Sequence, residues 1–332
     1  MSRRFLITGG AGYLGSVLTR QALSGGDRVR VVDRLFFGKG SLAALAGSPL
    51  FELVEADIRD VPASVMEGVD VVVDLAAVSN DPAGELDPEA TLSINHLGRN
   101  RIARMAREAG VQRYLLASSC SVYGFQDGIL GEDSPVSPLT TYATANVRAE
   151  EGCLPLARPG FSVTAFRFAT LFGLSPRMRF DIAVNGIALS VVQTGRCRVL
   201  RDGTQWRPFL HVADAARAFM AGAAAAPEVV SGKVFNAGGD GLNLQLLDLS
   251  KAVASAAGAA WDVEWYGDPD NRSYRVSFGR IAAALGYRPT LSVEAGAREI
   301  VAALRSGALT AGDECFTVRW YKQLISRGLV LR

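Results

Sequence analysis

The sequence is poor in the residues that metal-binding and disulfide-stabilised proteins use. Its 332 residues include four cysteines and two histidines. The cysteines lie far apart and form no C-x-x-C pair, which argues against a disulfide framework and against a zinc site of closely spaced ligands. Lysine is also scarce, with four lysines among 35 basic residues. We expect reduced, structural cysteines and no bound metal.

Long apolar runs and an excess of one charge are missing as well. No stretch approaches the ~18 uninterrupted apolar residues that a membrane-spanning helix needs. The first apolar run, Phe5-Leu6-Ile7, is too short for the core of a signal peptide. The formal net charge is +2, which gives no electrostatic reason to expect a nucleic acid or membrane partner. These absences predict a cytoplasmic protein that binds neither.

What is present is a globular composition with a regular alternation of elements. Apolar residues make up 49% of the chain and charged residues 20%. Short β-rich runs at 4–8, 28–33, 51–55, 69–76 and 113–118 alternate with helical stretches. Because these runs are largely apolar on both faces, they predict a parallel sheet covered by helices on both sides. The predicted fold class is α/β, a doubly wound parallel sheet of the Rossmann type.

Beyond about residue 170 this alternation loosens. Helical patterns continue, but loops rich in glycine, proline, arginine and aspartate separate them. We predict a dinucleotide-binding domain over residues 1–172, to whose sheet later segments also contribute. A smaller C-terminal α/β region over residues 173–332 is expected to bind the substrate.

The strongest local pattern is the glycine-rich segment from Thr8 to Gly15, with the sequence TGGAGYLG. It follows the first predicted strand and opens a helix, where missing side chains let the backbone approach a pyrophosphate. Asp33 ends the second strand, 21 residues after Gly12. A carboxylate there accepts ribose hydroxyls and repels a 2′-phosphate, so NAD is favoured over NADP. Arg34 follows directly and keeps NADP open as an alternative.

Two further strand ends carry candidate cofactor contacts. Asp57 and Ile58 follow the third strand, where the carboxylate could hold an adenine amine or could be an exposed turn residue. Leu75, Ala76 and Ala77 end the fourth strand with small or apolar side chains. Small side chains suit a place where a cofactor lies against the backbone.

The fifth strand ends in a serine-rich segment, SSCSVYG at 118–124, and Tyr142 follows 23 residues after Ser119. With the glycine loop and Asp33, this pattern resembles the extended short-chain dehydrogenase/reductases. It is most similar to the NAD-dependent epimerases and dehydratases that act on nucleotide sugars. The resemblance covers nearly the whole chain, through RFAT at 167–170, WRPFLHVAD at 206–214 and NRSYRV, from Asn271 to Val276.

The resemblance implies a catalytic group made of Tyr142, Ser119 and the residue four positions after the tyrosine. Tyr142 would be the general acid/base at a sugar hydroxyl, Ser119 its hydrogen-bonding partner, and NAD the hydride carrier. The family has a lysine four residues after the tyrosine, and this chain has Asn146. Asparagine can bond a ribose hydroxyl but carries no charge, so we expect the pKa of Tyr142 to stay near ~10, the value of free tyrosine.

The patterns and the resemblance together give two sets of predicted contacts. The cofactor contacts are Gly9, Gly12, Tyr13, Leu14, Gly15, Asp33, Arg34, Asp57, Ile58, Leu75, Ala76, Ala77, Asn95, Ser118, Tyr142 and Asn146. The substrate contacts are Ser79, Cys120, Ser121, Arg177, Arg179, Asn185, Arg207 and Arg272. In this second set Arg207 and Arg272 match family positions that clamp a diphosphate, although either could be a surface charge. Cys120 could instead be a small buried residue.

The serine segment also bears on the reaction. By the resemblance, 4,6-dehydratases carry an acidic pair just after the serine or threonine and decarboxylases carry a glutamate, whereas this chain has Cys120 and Ser121. The favoured reaction is therefore oxidation and reduction at C4 of a nucleoside-diphosphate sugar, above all 4-epimerisation. An NAD(P)-dependent reductase of a keto-sugar or other carbonyl compound is an alternative. So is a redox-inactive nucleotide-binding protein, which Asn146 suggests.

The resemblance also implies a homodimer. The family commonly pairs long helices across a dimer interface, and the helical patterns at 87–109 and 140–156 are the candidates for that pairing.

Overall fold

The computed structural model describes residues 2–268 and 272–328. Asn271, the first residue of the NRSYRV segment, lies outside the described residues. The described chain forms fourteen strands. They are β1 (Arg4–Thr8), β2 (Arg28–Asp33), β3 (Phe51–Glu55), β4 (Val71–Asp74), β5 (Arg113–Ser119), β6 (Ile129–Leu130), β7 (Ser162–Phe168), β8 (Thr170–Phe172), β9 (Cys197–Leu200), β10 (Trp206–His211), β11 (Lys233–Ala237), β12 (Asn243–Gln245), β13 (Val263–Tyr266) and β14 (Arg275–Val276).

Twelve α-helices accompany these strands in the described residues. They are α1 (Tyr13–Ser24), α2 (Asp81–Gly84), α3 (Pro88–Leu92), α4 (Arg99–Glu108), α5 (Thr141–Cys153), α6 (Ala183–Thr194), α7 (Val212–Ala224), α8 (Pro227–Val230), α9 (Leu246–Ala256), α10 (Gly279–Leu285), α11 (Val293–Arg305) and α12 (Thr317–Ser326). A π-helical turn, Ser93–Gly98, joins α3 to α4. The helical pattern at 87–109 is therefore one continuous run with a widened turn in its middle.

Seven strands form the central sheet in the order β11-β7-β5-β4-β1-β2-β3. Every neighbouring pair is parallel, which confirms the doubly wound fold. The strand order reverses between β1 and β4, and in such sheets ligands bind at the carboxyl ends of the strands beside that point. Thr8 and Asp74 end these two strands side by side.

Apolar side chains cover both faces of the sheet. One cluster includes Phe5 and Phe166 and packs against α1 and α7, and the other includes Leu6 and Val72 and packs against α4 and α5. Adjacent residues such as Phe5 and Leu6 point to opposite faces because side chains alternate along a strand. This burial on both faces explains why the strands are largely apolar.

The second half of the chain adds small sheets and a third apolar cluster around Phe172, Phe209 and Leu249. Its sheets are β12-β10-β8, β13-β9 and β14-β6. Strand β11 also comes from this half, yet it pairs with β7 in the central sheet. The boundary after residue 172 stays a prediction, as does the assignment of 173–332 to substrate binding. Within the described residues, no helix has the length and apolar character to cross a membrane.

Helix α12 is an element that the sequence analysis did not predict. It packs against the segment after β2, where Trp320 Nε1 donates to Phe36 O at 2.6 Å. The ring of Tyr321 meets Phe36 and Phe37 edge-on, at centroid distances of 6.3 and 5.4 Å. Helix α12 thereby lies against the segment that follows Asp33.

Candidate active site

The carboxyl ends of the central strands open into one cavity with a volume of ≈ 1130 Å³. Drug-sized ligands occupy pockets of about 300–1,000 Å³, so this cavity has room for more than one such molecule. Most of the predicted site residues line it: Gly9, Gly12, Tyr13, Leu14, Gly15, Asp33, Arg34, Asp57, Ile58, Leu75, Ala76, Ala77, Ser79, Ser118, Ser119, Ser121, Tyr142, Asn146, Arg177, Arg179, Arg207 and Arg272.

The glycine loop forms a tight cradle at the start of α1. Gly9 has a φ of +68°, and a Cβ there would lie 2.8 Å from Ala76 N. A Cβ at Gly15 would collide with the carbonyl oxygen of Gly9. A Cβ at Gly12 would have open space around it except for the same Gly9 oxygen, which would lie 3.1 Å away. These glycines leave backbone amides accessible at a helix N-terminus, an arrangement that fits the diphosphate of a dinucleotide.

Asp33 stands beside this cradle at the end of β2. Its two oxygens accept hydrogen bonds from Ala11 N at 2.9 Å and from Leu35 N at 2.8 Å. Burial raises the pKa of Asp33, while these backbone bonds and the charge of Arg177 oppose that effect. The carboxylate is therefore held in place beside the glycine cradle. In this kind of fold an acidic residue at this position binds the ribose hydroxyls.

Arg34 turns away from Asp33 toward the end of β3. Its Nη1 lies 2.6 Å from Asp57 Oδ2, and its guanidinium stacks on Phe36 at 4.8 Å. Arg59 binds the same carboxylate at 2.7 Å. Burial opposes the shift, but hydrogen bonds from Arg59 and Arg34 lower the pKa of Asp57 to about 2. Asp57 is thus ionised and engaged by two arginines at the cavity wall.

Arg177 occupies a position that the sequence analysis did not anticipate. Its guanidinium lies 3.6 Å from the centroid of Phe37, and its side chain contacts Thr317 of α12 at 3.4 Å. The residue is 7% exposed, and its Nε has no hydrogen-bond partner among the described residues. Burial and the nearby Arg179 lower the pKa of Arg177 to about 10. The structure thus places this cation against the segment after β2 and within electrostatic reach of Asp33.

Tyr142 lies in the first turn of α5. Thr140 caps the N-terminus of this helix, because its Oγ1 accepts from Ala143 N at 3.1 Å. Asn146 Nδ2 donates to the backbone oxygen of Tyr142 at 3.0 Å, and Ser119 lines the cavity together with both residues. Burial and the negative charge of Asp81 raise the pKa of Tyr142, and Ser119 and Asn146 oppose that shift. The three predicted catalytic residues are therefore together at the cavity.

Arg99 joins this group, and the sequence analysis missed it. It is 1% exposed and lines the cavity beside Asn146. Its Nη1 donates to Asn146 Oδ1 at 3.1 Å, and its charge lowers the pKa of Tyr142. A signal was present in the sequence, because 95, 99, 102, 103 and 106 follow the spacing of one helix face and 102, 103 and 106 are apolar.

Three predicted contacts do not line the cavity. Cys120 is buried, its Sγ donates to Arg167 O at 3.2 Å, and burial raises the pKa of its thiol. Asn95 is buried and clamps Val78 by bonds of 2.8 and 3.0 Å to its N and O. Asn185 is buried and donates to Arg179 O at 2.8 Å. We correct the three predictions accordingly, because these side chains support the cavity wall from behind.

Three further arginines of the cavity wall lie beside carboxylates or backbone carbonyl oxygens. Arg179 Nη2 binds Asp181 Oδ2 at 2.7 Å, and its Nη1 donates to Ser79 O at 3.0 Å. Arg272 forms an ion pair with Asp81. Arg207 Nη1 donates to Trp206 O at 2.9 Å and also to Arg272 O. This arrangement can receive an anionic ligand, since guanidinium groups bind phosphate oxygens in bidentate fashion.

A parallel sheet with a glycine cradle, a strand-end aspartate and a tyrosine–serine pair defines a Rossmann-type enzyme that uses a dinucleotide. Residues 5–238 match the NAD dependent epimerase/dehydratase family. The chain belongs to that family, and its cofactor is NAD.

The relatives of this chain include enzymes with different activities. The chain is 31% identical to a dTDP-glucose 4,6-dehydratase of Streptomyces griseus, over 91% of this chain and 94% of the relative. It is 30% identical to a UDP-glucose 4-epimerase of Mycolicibacterium smegmatis, over 91% of this chain and 99% of the relative. The solved structure of MoeE5 in complex with UDP-glucuronic acid and NAD superposes with a TM-score of 0.80 at 26% identity, covering 92% of this chain and 99% of MoeE5.

Proposed function

We propose that this enzyme epimerises a nucleoside-diphosphate sugar at C4. The observation that carries the proposal is the composition of the wall around Tyr142. The serine partner Ser119 is followed by a buried Cys120 and by Ser121, so neither position supplies a carboxylate to an eliminating mechanism. Loss of water from C5 and C6 needs an acid and a base beside the sugar, whereas epimerisation needs only the tyrosine and the cofactor.

NAD, when bound, supplies the hydride acceptor and afterwards the hydride donor. Tyr142 takes the proton of the C4 hydroxyl as that carbon loses a hydride, which leaves a 4-ketone. Return of the hydride to the opposite face of the ketone, and of the proton from Tyr142 to its oxygen, gives the epimer. The sugar undergoes no net oxidation, so the enzyme turns over without added cofactor.

The cofactor contacts that we propose surround the glycine cradle and Asp33. Gly9, Gly12 and Gly15 would give the diphosphate room to approach the N-terminus of α1, and Asp33 would hold the adenosine ribose. Arg177 joins this group in our proposal in place of its predicted role toward the sugar, because it packs on Phe37 and within reach of Asp33.

The substrate contacts that we propose lie on the part of the cavity wall that carries three arginines. Arg207, Arg272 and Arg179 would receive the two phosphates of the nucleoside diphosphate. Support comes from their shared position on the cavity wall and from the nucleotide sugars named for the relatives. Ser79 and Ser121 line the same cavity and are proposed to contact the sugar.

The test combines released ligands with turnover. Denaturing the purified protein should release NAD, and the intact protein should interconvert C4 epimers of a UDP- or dTDP-sugar with no cofactor added. Tyr142→Phe should lower the rate by ~10²–10⁴-fold, as expected for loss of a general acid/base. Tyr123→Phe is the matched control, because its hydroxyl is buried on Asn236 and the residue does not line the cavity.

Other outcomes would identify the other reactions. A product lighter by one water molecule would make the enzyme a dehydratase. Stoichiometric consumption of reduced nicotinamide would make it a reductase. Full activity of Tyr142→Phe would contradict the role of the tyrosine, and bound NAD without any hydride exchange would favour a binding protein.

We also propose a cytoplasmic homodimer that associates through the α4 and α5 face. Leu97, beside α4, is 60% exposed, and Arg104, Arg148 and Glu151 surround His96 on this face. All four cysteines, each within the described residues, are buried free thiols, which suits a reducing compartment. Leu97→Asp should convert the dimer to a monomer in light scattering, and a wild-type monomer would contradict this interface.

A further inference from the structure

Arg99 is a buried cation at the floor of the cavity. Its Nε lies 3.3 Å from Asp74 Oδ2, and its Nη2 donates to Asp74 O at 3.1 Å and also to Ala117 O. Asp74 is itself fully buried and accepts from Thr8 Oγ1 at 2.5 Å. The guanidinium is therefore fixed from behind by β1, β4 and β5. Burial opposes its charged form, but the neighbouring Asp74 raises the pKa of Arg99.

The remaining terminal nitrogen of Arg99 points toward the catalytic group. Nη1 donates to Asn146 Oδ1 at 3.1 Å, and Asn146 Nδ2 donates to the carbonyl oxygen of Tyr142 at 3.0 Å. The side chain that stands where the family has a lysine is thus held by an arginine from the neighbouring helix. Because Nε and Nη2 face Asp74, the carboxylate lies on the side of the guanidinium turned away from Asn146.

The charges that face Tyr142 come from several elements. Asp81 of α2 raises its pKa, and Arg99 of α4 lowers it. Arg179, from the segment before α6, is within electrostatic reach of Tyr142. Glu85, which follows α2, accepts from Thr141 N at 2.7 Å, next to the tyrosine.

Asp81, Arg179 and Arg99 each have an ion-pair partner, but they differ in how they contact the residues around Tyr142. Asp81 is paired with Arg272, and Arg179 with Asp181, whose carboxylate lies 2.7 Å away. Arg99 is the cation that contacts Asn146, the hydrogen-bonding partner of Tyr142.

We propose that Arg99 supplies, through Asn146, the positive charge that the family's lysine supplies to the catalytic tyrosine. The charge thereby moves from α5 to α4, while Asn146 keeps the hydrogen bond at position 146. Arg99 is a positioning residue for Tyr142 in this account. The inference rests on the proposed function, since it assumes that Tyr142 exchanges the proton.

The decisive experiment measures the ionisation of Tyr142 directly. Tyrosine labelled with ¹³C at Cζ reports each phenol by NMR, and the Tyr142 signal among the eight tyrosines is the one that Tyr142→Phe removes. In Arg99→Gln the titration midpoint of Tyr142 should rise by roughly 1–3 pH units, the usual effect of one nearby charge. Arg99→Lys should keep most of the wild-type midpoint.

The pH profile of turnover gives a second readout with a defined sign. The ionised phenol accepts the proton, so activity rises as pH increases through the pKa of Tyr142. Arg99→Gln should therefore shift the rising limb to higher pH by the same amount as the NMR midpoint. Adding Asn146→Lys to Arg99→Gln should move the NMR midpoint and the rising limb back to lower pH, because a cation then stands at the position of the family's lysine.

Two controls separate electrostatics from loss of structure. Arg167→Gln removes another buried arginine, paired with Glu150 at 2.7 Å, and should leave the Tyr142 midpoint unchanged. Arg99→Gln with Asp74→Asn removes both buried charges, which preserves folding if the single variant unfolds. The Tyr142 midpoint should still rise, because the nearer charge is the one that acts on the phenol.

The outcomes distinguish the two proposals. An unchanged NMR midpoint in Arg99→Gln, or no recovery on adding Asn146→Lys, would overturn the role of Arg99 whatever reaction the enzyme performs. A shifted midpoint with no C4 epimerisation would leave the role of Arg99 standing and would refute the proposed function instead.

Discussion

The preference for NAD over NADP is the prediction that the structure develops furthest. Asp33 is fixed by Ala11 N and Leu35 N, so it cannot turn away from a 2′-phosphate. Two unit charges at ~5 Å and an effective dielectric constant of ~20 repel each other by about 3 kcal/mol. Arg177 offsets part of this repulsion, because its charge also reaches Asp33. We therefore expect NADP to bind at least about tenfold more weakly, or about 1.4 kcal/mol.

The assay is calorimetric titration of cofactor-stripped protein with NAD and with NADP. Asp33→Asn should weaken NAD binding by about 1.5–3 kcal/mol, the usual contribution of a hydrogen bond to a charged group. It should also reduce the difference between the affinities for NAD and NADP. Arg34→Ala is the matched control. Because Arg34 is engaged by Asp57 at 2.6 Å, its removal should leave the ratio of the two affinities unchanged.

The pH dependence of this preference has a definite sign. Burial raises the pKa of Asp33, so protonation removes its charge at a higher pH than for an exposed aspartate. The discrimination against NADP should therefore be largest at neutral pH and above, and should shrink as pH falls. Equal affinities at pH 8, or a preference for NADP that Arg34→Ala abolishes, would refute the assignment of Asp33.

Three further predictions follow from other contacts. Arg207→Ala should weaken binding of a nucleoside diphosphate by about 1.5–3 kcal/mol in calorimetry without affecting NAD, and loss of NAD binding alone would contradict its place in the substrate site. Gly9→Ala should lower both NAD affinity and the free energy of unfolding, the latter by roughly 1–3 kcal/mol, because its Cβ would lie 2.8 Å from Ala76 N at a positive φ. Arg167→Met should cost about 3–5 kcal/mol in urea unfolding by leaving Glu150 as an unpaired buried charge. Adding Glu150→Leu should recover most of that loss, and a single variant as stable as wild type would show that the pair contributes nothing.

The cofactor half of the site was predictable because its determinants are local. The glycine loop lies within one turn of chain after β1, and Asp33 ends the next strand. In a parallel sheet all carboxyl ends meet at one edge, so patterns at separate strand ends can be assigned to one site without knowing any distance. Tyr142 and Ser119 could be proposed from the sequence for a different reason, because their spacing resembles that of a known family.

Other parts of the site depend on which way a side chain points. Cys120 lies between two residues that line the cavity, yet its thiol turns to Arg167 O on the opposite side. Asn95 and Asn185 are polar residues near the site whose side-chain amides bond other groups of the protein. Composition cannot separate such supporting residues from ligands, because both are polar and close in sequence to the cavity.

The sequence by itself determined the class of fold, the cofactor loop and the loss of the lysine at position 146. Only the tertiary structure shows which cation lies beside Asn146, and this is the observation behind the proposed role of Arg99. Arg99 stands 47 positions from Asn146 among the other arginines of α4, and in the sequence it looks like a surface charge. The packing of α4 against α5 and β4 brings its buried guanidinium, with Asp74 behind it, into contact with Asn146. Electrostatic contacts depend on distance in space, and only the folded chain sets that distance.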